Sequence, residues 1–455
     1  MNQSAFYMPA LAAVIGALLP ASAVAVSVFD TDEIVDLYQA EAQVRFQGFD
    51  VTSLPDGRFA ATWVEHNIDT GLDQVKLARF DQDGNVMGDI LTVSENTASS
   101  DSGLSDPIVG SNGDGGMVVV WNAGSSMSSS HCREHVMLSR VGTDDNVSAP
   151  WLASMGYGYS CDADLAVNQD GWFVVGMSYY TDPGYIVQVY GPEGYGRSPP
   201  FLLRSRADLN IPIAVALQVN SALFIWPDVE GDNVVLTVSR YDFDGSEGVE
   251  NVSQLSAGDH GGIDLYQTFP VLATGVDDGY ASAWFQSASV DAQEVFSQRT
   301  QYINADGTVD VAVTIGEDPL NTLSGKLDMT GDGDGTFLIG WTISEDGEPR
   351  YRKITAFDEE GVIGDPAFIV SEGASGSHDA SANTRVALSG DLAVVAWYEQ
   401  EDDSSRPILK ARIGSPPKRS NVSPGSSGGG GFIDPVLLFG SALLMLLHRF
   451  ARKRG

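Results

Sequence analysis

Basic residues are scarce in this chain of 455 residues: 25 Lys and Arg stand against 61 Asp and Glu, for a formal net charge of -36. Such a body is expected to repel nucleic-acid phosphates and anionic lipid surfaces, and nucleic acid is not an expected partner. It suits a soluble protein outside the cell, bathed in salt or divalent cations. Cysteine is scarcer still, with only Cys132 and Cys161. In an exported chain a small, even count reads as one disulfide. Closing a loop of about thirty residues contributes roughly 3–4 kcal/mol in the chain-entropy model; two free, buried thiols are the alternative. Long amphipathic segments are missing from the middle of the chain, and so are a nucleophile elbow, a phosphate loop and a redox motif.

What is present is Gly, Asp and short runs rich in Val, Thr, Tyr and Trp, the composition of an all-β protein with many turns. Asp56, Gly57, Arg58, Phe59, Ala60, Ala61, Thr62, Trp63 reads as a tight turn followed by a strand ending on tryptophan. The pattern returns with Trp121, Met177, Trp226, Trp284, Trp341 and Trp397 at the strand end, at intervals of roughly 50–58 residues. A turn precedes each strand, as in Asp114-Gly115, Asp170-Gly171, Asp278-Gly279 and Asp334-Gly335. Gly, Asn and Asp tolerate the positive φ that two-residue hairpin loops demand. A further β-type run precedes each turn and two follow each Trp-ended strand, making four strands per unit.

Four antiparallel strands repeated seven times resemble a β-propeller over residues 26–413, without the consensus signatures of the WD, kelch or YWTD repeats. Blades stacked around an axis bury faces that one blade cannot bury alone, so the six Trp and Met177 are expected to pack between blades. The seventh unit runs into a linker after Ile413 without a fourth strand, and Val26 to Leu37 resembles fourth strands elsewhere. The N-terminal strand is therefore expected to complete the last blade and close the ring.

Both ends carry addresses. Pro9 to Leu19 is apolar and too short to span a bilayer, and Ala21, Ser22, Ala23 supplies a small-x-small site. Residues 1–25 thus read as a signal peptide, although the segment before the apolar run has no Lys or Arg. Residues 414–431 form a Pro/Ser/Gly linker ending in Gly428, Gly429, Gly430 and Gly431, and residues 432–455 an apolar segment with the basic end Arg449, Arg452, Lys453 and Arg454. These four parts, in this order, resemble the GlyGly-CTERM sorting signal of Gram-negative bacteria. The resemblance implies cleavage near the glycines by a rhombosortase-type intramembrane protease, passage through the type II secretion machinery and attachment at the cell surface. A plain C-terminal membrane anchor is the alternative.

Three candidate chemistries emerge from the body. Carboxylates crowd the connections between second and third strands (Glu65, Asp69, Asp73; Asp228, Glu230, Asp232; Glu345, Asp346, Glu348; Glu399, Glu401, Asp402, Asp403), with Tyr179, Tyr180, Tyr185 and Tyr398 beside them. Such a rim suits cations, basic peptides or sugars, or is simply a solvated loop edge. Asp328, Asp332 and Asp334, spaced by glycines, have the oxygen ligands of a calcium loop but lack the terminal Glu of an EF-hand, so a plain turn competes. His131, Cys132, Arg133, Glu134, His135 spells HxxEH, yet it enters a strand, where the two imidazoles lie too far apart for zinc. No residue is nominated as catalytic, and no Asp-box repeat of the sialidase type is found. The chain is expected to be an exported binding or interaction module for a glycan, peptide or protein, with calcium as its candidate cofactor. A glycosidase-like secreted hydrolase using acids near the axis is the rival.

Overall fold

The computed structural model describes residues 33–416, apart from the segments 97–102, 127–131, 154–158, 180–183, 198–199, 205–211, 231–232, 244–249, 257–269, 291–292, 320–325, 344–349, 360, 374–382 and 401–405. Seven four-stranded antiparallel blades stand in a ring, a seven-bladed β-propeller. Their innermost strands are Val44–Leu54, Gly103–Ser111, Ser160–Val167, Ala214–Leu217, Val271–Thr274, Asp328–Gly331 and Arg385–Ser389. Each packs beside the innermost strand of the next blade, and the last packs beside the first.

The seventh blade is built from both ends of the ring. Leu392–Glu399 and Ile408–Gly414 follow its innermost strand, and Ile34–Gln39 pairs antiparallel with Ile408–Gly414, Ile34 opposite Arg412. Hydrogen bonding between the first and last strands leaves no open break in the ring, so the edge that an open stack would expose to foreign strands is satisfied internally. The second and third blades join in one sheet through the pair Ser160–Arg133.

Tight hairpins set the register. In the first blade Asp56 and Gly57 have φ of 68° and 70°, the left-handed pair that matches strand twist. Elsewhere an Asp or Asn opens the turn and its side-chain oxygen accepts later backbone N–H groups. Asp81 accepts from Asp83 and Asn85, Asn112 from Asp114 and Gly116, and Asp332 from Asp334 and Thr336.

The core is divided among the blade interfaces. Trp63 lies among residues of blades seven and one, Trp121 between one and two, Met177 between two and three, and Trp226 between three and four. Trp284, Trp341 and Trp397 occupy the next three interfaces. All seven are buried. The third blade departs chemically as well as in sequence: Tyr179, two residues beyond Met177 and in the same cluster, sets its hydroxyl 4.0 Å from the Met177 sulfur. A second large ring there restores volume that a thioether leaves empty.

A charged ring at the propeller axis

The hairpin register that buries the tryptophans also defines a second ring. The second-strand residue just before each Trp or Met pairs with one residue of the innermost strand: Thr62 with Asp50, Val120 with Ile108, Gly176 with Asp164, Ile225 with Ala214, Ala283 with Val271, Gly340 with Asp328, and Ala396 with Arg385. Seven equivalent positions thus hold three carboxylates and one guanidinium. Asp328 and Arg385 open their strands, so the ring lies at the end of the channel where blade-to-blade connections enter.

Each carboxylate reaches the next blade. Asp50 Oδ2 accepts the N–H of Val109 at 2.9 Å, Asp164 Oδ2 that of Val215 at 2.8 Å, and Asp328 Oδ2 that of Val386 at 2.6 Å. Innermost strands have one edge without a strand partner, and these oxygens satisfy N–H groups along it. Close approach of the blades makes this possible. A Cβ on Gly176 would lie 2.6 Å from Val215 Cγ1, and one on Gly340 2.9 Å from Val386 Cγ1; glycine faces both Asp164 and Asp328 because any larger residue would push the next strand away.

Arg385 joins the ends of the ring. Its Nη1 lies 3.4 Å from Asp328 Oδ1, and its Nε lies 3.6 Å from Asp50 Oδ1 and donates to the Phe49 carbonyl at 3.3 Å. Blades six, seven and one are thereby tied by one side chain. Nearer the mouth, Lys326 of blade six forms an ion pair with Asp162 of blade three, on the other side of the axis. Beneath these groups lies a cavity of about 310 Å³ whose wall includes Asp50, Asp164, Lys326, Asp328 and Arg385.

Burial governs the protonation of this ring. It pushes Asp164 up to about 6, against the N–H groups of Val215 and Leu165 that favour the anion. Burial likewise pushes Asp50 up to about 7, with Arg385 opposing and Asp328 reinforcing the shift. Asp328 also moves up, again through burial outweighing Arg385. Burial works against the charge of Arg385, but Asp328, Asp50, Asp106 and Asp164 outweigh it and raise its pKa.

The other sequence candidates fall apart or turn structural. Asp328 sits at the axis, whereas Asp332 closes the hairpin four residues on, about 13 Å along an extended strand. Asp332 serves as turn acceptor to Asp334, the same role Asn112 plays in blade two. The three aspartates are therefore not brought together as a calcium site, and among the described residues no three His, Cys, Asp or Glu side chains converge on a metal position. Arg133–Val141 is a strand, so Glu134 and His135 do not share a helical turn; His131 lies outside the described residues.

Several rim residues expected at the surface are interior. Tyr179, Tyr185 and Tyr398 are buried between blades. Asp73 is buried too, accepting the Leu104 N–H at 2.8 Å and facing His66 Nδ1 at 2.6 Å. Glu65 and Glu399 accept from the indole N–H of Trp63 and Trp397 at 3.0 and 2.8 Å. Tyr180, Asp232, Glu345, Asp346, Glu348, Glu401, Asp402 and Asp403 lie outside the described residues, as do the side chain of Glu230 and the whole of residues 1–32 and 417–455 with their signal and sorting segments. Among the described residues no helix is long and apolar enough to cross a membrane. Cys132 is buried and not a free thiol. The side chain of Cys161 lies outside the described residues, but the backbone pairing of Arg133 with Ser160 places the two cysteines side by side in sequence register.

The axial charges are what sequence reading missed. Asp50 and Asp164 lie thirteen residues before Trp63 and Met177, as Asp328 does before Trp341, and Arg385 lies twelve before Trp397, as Ala214 does before Trp226. Aligning the repeats on tryptophan would have placed them in one ring.

No protein-family model matches the chain, and no curated protein matches it. Among solved structures it is similar to a lectin of Burkholderia pseudomallei, with a TM-score of 0.53 at 12% identity over 82% of this chain and 99% of the lectin. An α-L-arabinanase of Penicillium chrysogenum complexed with arabinobiose aligns with a TM-score of 0.43 at 11% identity, over 83% of this chain and 97% of the enzyme. The NanB sialidase of Streptococcus pneumoniae aligns with a TM-score of 0.43 at 9% identity, over 86% and 71%. The likeness to the lectin bears on fold alone, and the two weaker alignments carry no argument.

Proposed function

We propose that this protein is exported and displayed at the cell surface as a propeller-shaped binding module, with the axial cavity and its charged mouth as the ligand site. The observation that carries the reading is the concentration of Asp50, Asp164, Asp328, Arg385, Lys326 and Asp162 at one end of the channel, where the other ring positions are the apolar Ile108, Ala214 and Val271. Few convergent polar groups in a concave site on a rigid scaffold make a binding site. Delivery follows from the two ends: a signal peptide over residues 1–25, and a tail over 414–455 that a rhombosortase-type protease would trim before type II secretion. A cystine between Cys132 and Cys161 fits such a route.

Glycan and peptide arrays probed with the mature protein test the reading. A ligand lost on Asp164→Asn, with the fold retained, is the expected outcome; no ligand on either array sinks it. Mass spectrometry of surface-released protein tests the delivery, and an intact C-terminal segment would refute the trimming.

One observation favours a second reading. Asp164 and Asp50 are carboxyls whose proton affinity is raised toward neutrality, as a general acid in glycoside hydrolysis requires. Their oxygens are, however, committed to Val109 and Val215 N–H groups. Turnover of chromogenic glycosides that disappears in Asp164→Asn would move the assignment to hydrolase.

A further inference from the structure

Among the described residues, the cross-axis ion pair between Lys326 and Asp162 has no counterpart in the repeat. It joins blades six and three, residues 164 apart in sequence, and its two side chains are 37% and 21% exposed. It therefore spans the mouth of the cavity instead of lying within a blade interface. Lys326 lines that cavity, and Asp162 lies two residues before Asp164 of the wall.

Beside Asp162 stands a polar group without a mate. Tyr185 is 1% exposed, and its hydroxyl makes no hydrogen bond with any described residue. It pairs across the sheet with Ser178, whose Oγ accepts the Asp162 N–H at 3.1 Å. The negative charges of Asp162 and Asp228 bear on the phenol. A buried hydroxyl left unpaired is destabilising, a cost that a ligand hydrogen-bonded to it would remove.

We propose that the mouth of the axial cavity is a binding site for a primary ammonium group, and that Lys326 is its built-in occupant, displaced from Asp162 when such a ligand enters. The inference rests on the axial site being the ligand site, and it names the ligand's chemistry. Three lines support it. The chain's own ammonium already sits on Asp162. Among the described residues, five carboxylates (Asp50, Asp106, Asp162, Asp164, Asp328) stand near two cations (Lys326, Arg385), which favours a cation over an anion. An ammonium carries three donors; Asp162 accepts at the mouth, and the unpaired Tyr185 hydroxyl stands behind it in the interface between blades three and four. An alkyl chain behind that ammonium would extend into the cavity, past Ala216 and Ala273 of its wall. Ligands of this kind are monoalkylamines, short diamines and lysine side chains.

The test is calorimetric titration of the full chain with n-butylammonium chloride, and with tetramethylammonium chloride as a cation of similar bulk that cannot donate hydrogen bonds. The probes are applied to wild type, Lys326→Met, Asp162→Asn and Tyr185→Phe, each checked by thermal melting. Removing the internal competitor in Lys326→Met is expected to tighten n-butylammonium binding about tenfold. Asp162→Asn is expected to abolish binding in either background, and Tyr185→Phe to weaken it. Equal affinity of wild type and Lys326→Met, or equal affinity for tetramethylammonium, overturns the proposal. Should Lys326→Met not fold, wild type at low ionic strength decides: n-butylammonium binding that falls with salt supports the site, and no heat up to millimolar concentrations overturns it. An array ligand that depends on Asp164 but ignores n-butylammonium would sink the ammonium site and leave the binding module intact.

Discussion

Two rings of seven residues lie one register step apart in this propeller, and they differ in kind. The outer ring is six tryptophans and Met177, all buried between blades. The inner ring is Asp50, Ile108, Asp164, Ala214, Val271, Asp328 and Arg385, side chains with no common property. Every blade must solve the same packing problem against its neighbour, so the outer position converges on one large apolar residue. The inner position faces a channel that exists once, and each blade can place something different there. Uniformity across repeats therefore marks scaffold, and diversity at an equivalent position marks the place where a repeat array becomes an individual protein.

The strongest challenge to the uniform ring is Trp341→Ala. Truncating this buried side chain is expected to cost about 3–5 kcal/mol, read as a lower denaturant midpoint; a loss below 1 kcal/mol would deny the ring its packing role. The odd member is tested by Cys132→Ser in the adjoining unit. Loss of a cystine there is expected to cost about 3 kcal/mol, and thiol titration of denatured wild type should find no free thiol; two free thiols would refute the cystine.

The inner ring is probed by pH. Asp164 and Asp50 have proton affinities raised by burial to about 6 and about 7 from the ordinary 3.8. A carboxyl shifted upward stabilises the fold fully below its unfolded pKa and loses that contribution as pH climbs through its folded pKa. The melting temperature is thus expected to fall from about pH 4 to pH 7. Asp164→Asn keeps an oxygen for the Val215 N–H and should flatten the lower part of that fall; an unchanged slope would remove Asp164 from the account. The smallest effect expected is none: EDTA should leave the melting temperature unmoved, because Asp332 serves its own turn instead of a calcium ion.

The repeat itself was legible because a tryptophan at the end of a strand and an Asp-Gly turn before it are local signals that survive divergence. Ring closure was legible from a strand missing after Ile413 and one to spare before Leu37. Asp328 drew notice for the wrong reason, since glycines around Asp332 made a hairpin look like an ion loop. The tyrosines 179, 185 and 398 resemble rim residues in sequence but fill gaps beside Met177 and between blades, a matter of volume that no local pattern records. Lys326 and Asp162 meet only because three blades of curvature carry one across from the other, and curvature is not written in any short stretch.

The pairing of Ile34 with Arg412 carries a consequence for time. Nearly the whole body of the chain must exist before its first strand can find its partner, and a contact so distant in sequence is slow to form. Until then blade seven lacks its outer strand, and the interface around Trp63, built from blades seven and one, stays open. The ring is therefore the last thing this chain completes, when Ile34–Gln39 and Ile408–Gly414 have met.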